Sequence, residues 1–193
     1  SDMNSRLKKI ETKVLTVQNN MYQVINILEK QFEVTHIYSY QETGLKITYD
    51  RDKQIGKMCS EKKIKWSESM NNGIQRGRRD RKNWRKDWES FMKKECDAVE
   101  LSKEKFLNHN VISSIEKELC PMDLNTEKDY VKQRGGTTTG LLYLDSFLKD
   151  RHKNYSKHIS KPGLARKSCS RLSPYLALGN LSIRYVGQKA KHL

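Results

Sequence analysis

The N-terminal third of the chain alternates short β-branched or aromatic runs with amphipathic stretches of helical spacing. The runs predict strands at Lys13–Val17, Val34–Tyr40 and Ile64–Glu68. Between them we predict a helix from Tyr49 to about Lys62 and, before it, a helix capped by Asn20. The apolar side of that earlier helix is predicted to comprise Met21, Val24, Ile25, Ile27 and Leu28. Because strand, helix, strand, helix, strand is the order of parallel β-α-β units, the sequence predicts an α/β unit with right-handed crossovers.

The loop Ser39–Leu45 follows the second predicted strand. Ligands of open parallel sheets bind beyond the carboxyl ends of the strands, which makes Glu42 and Gly44 candidate functional residues. A solvent-facing turn is the other interpretation of this loop. The sequence contains no phosphate-loop or G-x-G-x-x-G pattern, so nothing local identifies a nucleotide here.

Basic residues dominate the chain, with 38 Lys and Arg against 23 Asp and Glu and a formal charge of +15. This surplus favours a polyanionic partner, nucleic acid first, although acidic membrane surfaces attract it too. The densest stretch is Arg76–Lys86, which holds seven Lys or Arg and one Asp. Trp84 and Trp88 follow on one face of a predicted helix. They either stack on bases or anchor the helix in a core, and anchoring is the commoner role of such pairs.

The patterns of cysteine, histidine and hydropathy restrict the class of protein. The four cysteines are far apart and lack C-x-x-C spacing, and the five histidines have no ligand spacing, so no metal site is predicted. Scattered thiols suit a reducing compartment. No apolar run approaches the length of a membrane span, and no signal-peptide pattern opens the chain. We therefore expect a cytoplasmic protein without a membrane partner.

Residues 96–134 mix charges with Asn and Ser, and their apolar patches are confined to Phe106 and Val111–Ile115. This composition predicts an interdomain connector with one or two short helices. The pair Gly135-Gly136 then precedes a predicted helix. The buried side of that helix is predicted to comprise Leu141, Leu142, Leu144, Phe147 and Leu148.

The stretch 166–186 predicts two short helices with a hydroxyl-rich entry. Its capping, opening and stop residues are Ser168, Ser170, Ser173, Pro174, Gly179 and Ser182. Its predicted buried side comprises Leu172, Tyr175, Leu176 and Leu178. Lys167 and Arg171 flank the entry, so it is a candidate anion site, because free N–H groups and the helix dipole favour negative charge. The alternative is a well-capped helix pair that binds nothing.

The order of residues from Cys169 to Ser182, C-S-R-L-S-P-Y-L-A-L-G-N-L-S, resembles the start of the flavin-binding region in the photolyase/cryptochrome family. In that family T-S-x-L-S-P-Y-L-x-x-G-x-(I/L)-S supplies hydroxyls and backbone N–H groups to the phosphates of FAD. Cys169 stands where the family has threonine, which removes one hydroxyl. The FAD-binding residues that the resemblance implies are Tyr155, Cys169, Ser170, Arg171, Leu172 and Ser173. Tyr155 matches an aromatic-basic stretch beside the phosphates and ribose of the flavin.

The resemblance extends backwards through H-I-Y-S-Y-Q-E-T-G and T-Y-D-R-D within residues 36–52, and from I-K-W-S-E to R-K-D-W within residues 64–88. These segments are similar to the later part of the α/β antenna-type domain of bacterial members. The resemblance implies a fold class of α/β plus all-α in three parts. They are a partial Rossmann-like domain (1–95), an interdomain connector (96–134) and the first helices of the helical FAD-binding domain (135–193).

Family enzymes are deoxyribodipyrimidine photolyases, carbon–carbon lyases that use reduced FAD and blue light to split pyrimidine dimers flipped out of DNA. The resemblance implies that this chain is a fragment, without the opening of the α/β domain and most of the flavin domain. We therefore expect it to be inactive as it stands, with weak or absent FAD binding. No catalytic residue and no antenna chromophore are assigned. The alternative functions are a non-catalytic nucleic-acid-binding module and a cryptochrome-like blue-light sensor.

DNA is the partner that both the charge and the resemblance favour. The candidate DNA-binding residues are Arg76, Arg78, Arg79, Arg81, Lys161 and Arg166. Two incomplete cores would also expose apolar surface, which predicts self-association.

Overall fold

The structure, a computed structural model, describes residues 2–97, 99–122 and 133–191, and it mixes helices with a small parallel sheet. The strands are β1 (His36–Tyr40) and β2 (Lys65–Ser69). The helices are α1 (Asp2–Leu7), α2 (Met21–Gln31), α3 (Lys46–Glu61), α4 (Trp84–Lys93), α5 (His109–Glu118), α6 (Thr137–Lys149), α7 (Tyr155–His158), α8 (Pro162–Ser168), α9 (Ser173–Ala177) and α10 (Ile183–Ala190). Short 3₁₀ turns occupy Lys8–Ile10, Lys103–Lys105 and Arg151–Asn154.

The described residues form two compact units. The α/β unit consists of residues 3–84 and the described part of 100–127, and the helical unit consists of the described parts of 1–2, 85–99 and 128–193. The segment 96–134, which the sequence predicts to be an interdomain connector, therefore contributes α5 to the α/β unit. No helix of the described residues is long and apolar enough to cross a bilayer.

The sheet of the α/β unit is a β-α-β unit, as the sequence predicts. β1 and β2 are parallel, with His36 opposite Lys65 and Tyr40 opposite Ser69, and α3 is the crossover between them. α2 begins after Asn20, whose side chain accepts a hydrogen bond from the Gln23 N–H, while Gln23 bonds back to the Asn20 N–H. This reciprocal capping box satisfies two free donors at the start of the helix.

The strand predicted at Lys13–Val17 is wrong. Within the described residues this segment forms only one isolated antiparallel bridge, between Val17 and Pro121. Its backbone donors bond to side chains instead: the N–H of Val14 donates to Asn4 Oδ1, at 2.9 Å, and that of Thr16 to Glu116 Oε1, at 3.3 Å. The β-branched residues favour extended backbone, but a strand also needs a neighbouring strand, and the described residues form none beside this segment.

The core of the α/β unit is built by one face of the sheet and the two helices that precede its strands. Its buried members are Ile25, Ile55, Met58, Cys59 and Ile64. Val34, Ile37 and Trp66 pack against this cluster. Of the predicted apolar side of α2, Ile25 is the buried residue and Met21 is exposed.

The core of the helical unit consists of Leu144, Leu172, Tyr175 and Leu181. α6 begins after Gly136 as the sequence predicts, but Leu142, predicted to be buried, is 65% exposed, because it lies about 200° around the helix from Leu144. Leu178, also predicted to be buried, is 77% exposed. It lies just after the five-residue α9, whose inward side is already occupied by Tyr175.

Candidate functional site

Arg151 organises the part of the helical unit in which the sequence places its candidate cofactor residues. Its guanidinium donates to the carbonyls of Tyr143 (2.7 Å) and Cys169, and to Ser146 Oγ (Nη2–Oγ 3.0 Å). It also lies 5.7 Å from the centroid of the Phe147 ring. Arg151 thus ties the end of α6 to the segment between α8 and α9, using neutral acceptors alone.

Arg171 lies beside the same aromatic group with an unusual backbone. Its φ of +59° is left-handed, a region that a non-glycine residue enters at a cost of about 1–3 kcal/mol. The Arg171 carbonyl accepts a hydrogen bond from Gln133 Nε2 at 2.7 Å, and its guanidinium lies 5.6 Å from the Tyr143 ring. Arg151 lies 5.7 Å from that ring as well. Two guanidinium groups therefore share one tyrosine.

The charge of this arginine pair is not balanced by acidic groups. Among the described residues, neither Arg151 nor Arg171 forms an ion pair with a carboxylate. Desolvation by burial, and then the nearby charge of Arg171, lower the pKa of Arg151. The guanidinium still remains protonated at any working pH. The result is an excess of fixed positive charge, which attracts an anion.

The hydroxyls of the motif lie in different settings. Ser170 is half-buried, and its Oγ accepts a hydrogen bond from the Leu172 N–H at 3.4 Å. Ser173 is exposed as the first residue of α9, followed by Pro174 as the sequence predicts. Ser168, predicted to lie at the entry of this helix, is instead the last residue of α8, and its buried Oγ lies 2.6 Å from His158 Nδ1.

The remaining candidate cofactor residues surround the arginine pair unevenly. Leu172 is buried in the core, and Cys169 contributes its backbone carbonyl to Arg151. Tyr155 is 40% exposed and packs edge-on against Phe147, with 6.1 Å between ring centroids. The structure therefore brings Tyr155, Cys169, Ser170 and Arg171 around one cluster. The sequence did not single out Tyr143 or Arg151, and it gave Phe147 only as part of the buried side of α6, although the three residues follow one another at a spacing of four.

The candidate DNA-binding residues of the α/β unit differ in how they are held. Arg76 pairs with Glu68 and lies 3.5 Å from Asp52 Oδ2. The pKa of Arg76 is raised, chiefly by its hydrogen bond to Glu68. Arg78 donates to the carbonyls of Asp80 and Lys82, which closes the loop. Arg79 and Arg81 are exposed, and within the described part of the chain their side chains have no partner.

The candidate DNA-binding residues of the helical unit, and the two tryptophans, differ in their exposure. Lys161 precedes α8 and Arg166 lies within it, and both are exposed. Trp84 is 49% exposed at the start of α4, whereas Trp88 is half-buried. Anchoring in a core thus describes Trp88 better than Trp84.

A cavity of about 530 Å³ lies in the α/β unit beside the carboxyl end of β1. Ser39 and Tyr40 line it, as do Asn20 at the start of α2 and the nearly buried Asp52. Asp52 Oδ1 already accepts from Arg51 Nη2 at 2.7 Å, and Arg51 also lines the cavity, so the carboxylate there is paired rather than free. Glu42 and Gly44, the candidates in the loop after β1, do not line this cavity. Glu42 Oε1 instead accepts from the N–H groups of Thr43 and Gly44, as in the turn that was the other interpretation of this loop.

No protein-family model matches the chain, and no curated protein matches it. The resemblance to the photolyase/cryptochrome motif therefore stays a prediction.

Proposed function

We propose that the chain is a flavin-binding segment of the photolyase/cryptochrome type, and that its helical unit holds the phosphates of FAD. The observation that carries the proposal is the pair Arg151 and Arg171, two guanidinium groups on one tyrosine that have no carboxylate partner among the described residues. Arg171 belongs to the motif that the resemblance assigns to the FAD phosphates, and Arg151, outside the motif, donates to the carbonyl of Cys169 within it. The left-handed Arg171 adds support, because backbone strain of this kind clusters at ligand sites.

Each residue of the proposed site has a different role in binding FAD. The hydroxyls of Ser170 and Ser173 donate to phosphate oxygens, and Arg171 neutralises the charge of the diphosphate. Arg151, which is saturated by carbonyls and a hydroxyl, fixes the segment and adds to the positive potential. Tyr155 packs beside the ribose. Bound FAD supplies light-driven electron transfer, which in this family splits pyrimidine dimers in DNA. The α/β unit, a parallel β-α-β arrangement, fits the Rossmann-like antenna-type domain that the same proposal implies.

Titration of the chain with FAD, followed by flavin fluorescence, tests this proposal. We expect weak but saturable binding that Ser170→Ala, Ser173→Ala and Arg171→Ala each weaken by about 10- to 150-fold, the loss of one hydrogen bond to a charged group. Ser90→Ala is the matched control, because Ser90 is an exposed serine of α4 in the same unit and lies outside the motif. Riboflavin, which lacks phosphates, should bind at least tenfold more weakly than FAD. Equal affinity for the two ligands, or no binding at all, contradicts the proposal.

A second candidate function, nucleic-acid binding by the α/β unit, is favoured by the loop Arg76–Lys82. The exposed side chains of Arg79 and Arg81 have no partner within the described residues, and phosphate contacts of this kind give sequence-indifferent, salt-dependent binding. The test is the salt dependence of binding to a labelled duplex. Arg79→Ala and Arg81→Ala should each reduce the slope of log K against log salt by about 1, whereas Lys57→Ala, on the exposed side of α3, should not. A slope that the loop variants leave unchanged contradicts this function.

A further inference from the structure

One face of the two-stranded sheet is a row of exposed aromatic rings. The alternation of β1 places His36, Tyr38 and Tyr40 on the same face, and all three are exposed, Tyr38 by 76% and Tyr40 by 62%. The rings of His36 and Tyr38 are stacked, 5.8 Å apart and 11° from parallel. The residues opposite them on β2, by register, are Lys65, Ser67 and Ser69.

The other face of the sheet is already covered. Ile37 and Trp66 pack against the core of the α/β unit, and a Cβ on Gly56 of α3 would lie 3.4 Å from the Trp66 ring. Glu68, the acidic residue of the strands, belongs to this covered face and pairs with Arg76. The tyrosine face therefore carries Lys65 and no carboxylate. Parallel sheets are ordinarily covered on both faces, so a face of this composition requires an explanation.

We propose that the tyrosine face, defined as His36, Tyr38, Tyr40 and Lys65, is a stacking platform for single-stranded nucleic acid. Exposed rings on a sheet stack on the faces of bases, and such faces are accessible in a single strand but hidden inside a duplex. The ring centroids of His36 and Tyr38 are 5.8 Å apart, clearly more than the rise of about 3.4 Å between stacked bases of one strand in a duplex. A strand with unstacked bases matches that spacing.

Charge decides between the candidate occupants of this face. The chain carries a net charge of +15, and the tyrosine face has no carboxylate to offer a second copy, so like charges oppose self-association there. A nucleic acid suits this surface because its bases can stack on the rings and its phosphates can pair with the cations. The loop Arg76–Lys82 belongs to the same unit and starts beside β2, where Arg76 pairs with Glu68 on the covered face. The loop supplies phosphate contacts beyond the rings.

This proposal rests on the nucleic-acid-binding function proposed above, in which the loop Arg76–Lys82 binds phosphates. It adds that the tyrosines make the protein prefer single strands to duplexes. The full chain is titrated into a fluorescein-labelled single strand of about 12 nucleotides and, separately, into the matching duplex, with anisotropy as the readout. We expect the single strand to bind at least tenfold more tightly. Tyr38→Ala and Tyr40→Ala should each weaken single-strand binding by about tenfold and leave duplex binding unchanged.

Two sets of controls separate stacking from folding and from the loop. Tyr38→Phe and Tyr40→Phe keep the ring and should bind the single strand within about twofold of the wild type. Ile47→Ala, a substitution at a residue that is 74% exposed on α3, should change neither affinity. Arg79→Ala with Arg81→Ala should weaken both the single strand and the duplex. Circular dichroism verifies that each variant keeps its secondary structure.

Each contrary outcome has a distinct meaning. Equal binding of single strand and duplex, unchanged in the tyrosine variants, overturns the stacking platform but leaves the loop function standing. No binding to either nucleic acid overturns both. A wild-type dimer in sedimentation that Tyr38→Ala converts to a monomer shows that a second copy covers the face, and this also overturns the proposal.

Discussion

The guanidinium of Arg76 meets the carboxylate of Glu68 at two points, with Nη1–Oε1 at 3.0 Å and Nη2–Oε2 at 2.5 Å. Both side chains are largely buried, 25% and 17% exposed, so solvent screens the pair less than a surface ion pair. Two-point pairing of this kind fixes geometry as well as charge. Arg76, chosen from the sequence as a DNA contact, holds the start of its loop against the end of β2.

Arg76→Ala should therefore destabilise the α/β unit, because it leaves Glu68 and the nearly buried Asp52 without their shared cation. We expect a loss of about 1.5–3 kcal/mol in the free energy of unfolding, measured by urea denaturation with tryptophan fluorescence. Arg79→Ala, which removes an exposed arginine of the same loop, should stay within about 0.5 kcal/mol of the wild type. Equal stability of the two variants would show that the Arg76 pair is energetically neutral.

The capping box of α2 gives a prediction with a control in the other unit. Asn20→Ala removes the acceptor of the Gln23 N–H, at 2.9 Å, and should cost about 1 kcal/mol. Ser182→Ala changes the residue at the same position of α10, where the side chain makes no capping bond, and should cost much less. Thermal unfolding of both variants measures the difference. A larger effect at Ser182 would contradict the assigned caps.

Two glycines in helices of the helical unit should respond to alanine with opposite signs. A Cβ on Gly140 of α6 would lie 3.1 Å from Leu181 and from Tyr175, so Gly140→Ala overpacks the core and should cost about 1–3 kcal/mol. A Cβ on Gly163 of α8 meets nothing within 4 Å, so Gly163→Ala should stabilise by about 0.4–1 kcal/mol. Chemical denaturation measures both, and a stabilising Gly140→Ala would refute this packing.

Thiol chemistry should distinguish Cys59 from the exposed Cys96 and Cys120. Burial raises the pKa of Cys59 above its ordinary value of 9.0, so the folded protein favours the protonated thiol. The corresponding stabilisation is complete below pH 9.0 and is lost as the pH rises through the raised pKa. With iodoacetamide at pH 9, peptide mass spectrometry should find Cys96 and Cys120 alkylated long before Cys59. Comparable rates for all three would place Cys59 outside the core.

How far the sequence predicts this protein depends on the range of the interaction involved. The start of α2 follows from Asn20 and Gln23, three residues apart, and the start of α6 follows from Gly136. The strand predicted at Lys13–Val17 failed because extended propensity is local, whereas a ladder needs a partner strand. The burial predicted for Leu178 failed because α9 ends before that residue can turn inward.

The sequence by itself determined the parallel order of β1, α3 and β2, the start of α2 at its Asn20 cap, and the excess of positive charge, whereas the serine caps predicted for α9 and α10 make no side-chain capping bond. The tertiary structure alone decided which cations are neutralised and which remain available. It pairs Arg76 with Glu68, places Arg151 against the carbonyl of Cys169, eighteen residues away, and leaves Tyr38 facing solvent. The physical reason is that capping and periodicity act within one or two helical turns, whereas the solvation of a charge or a ring depends on every segment that folds against it.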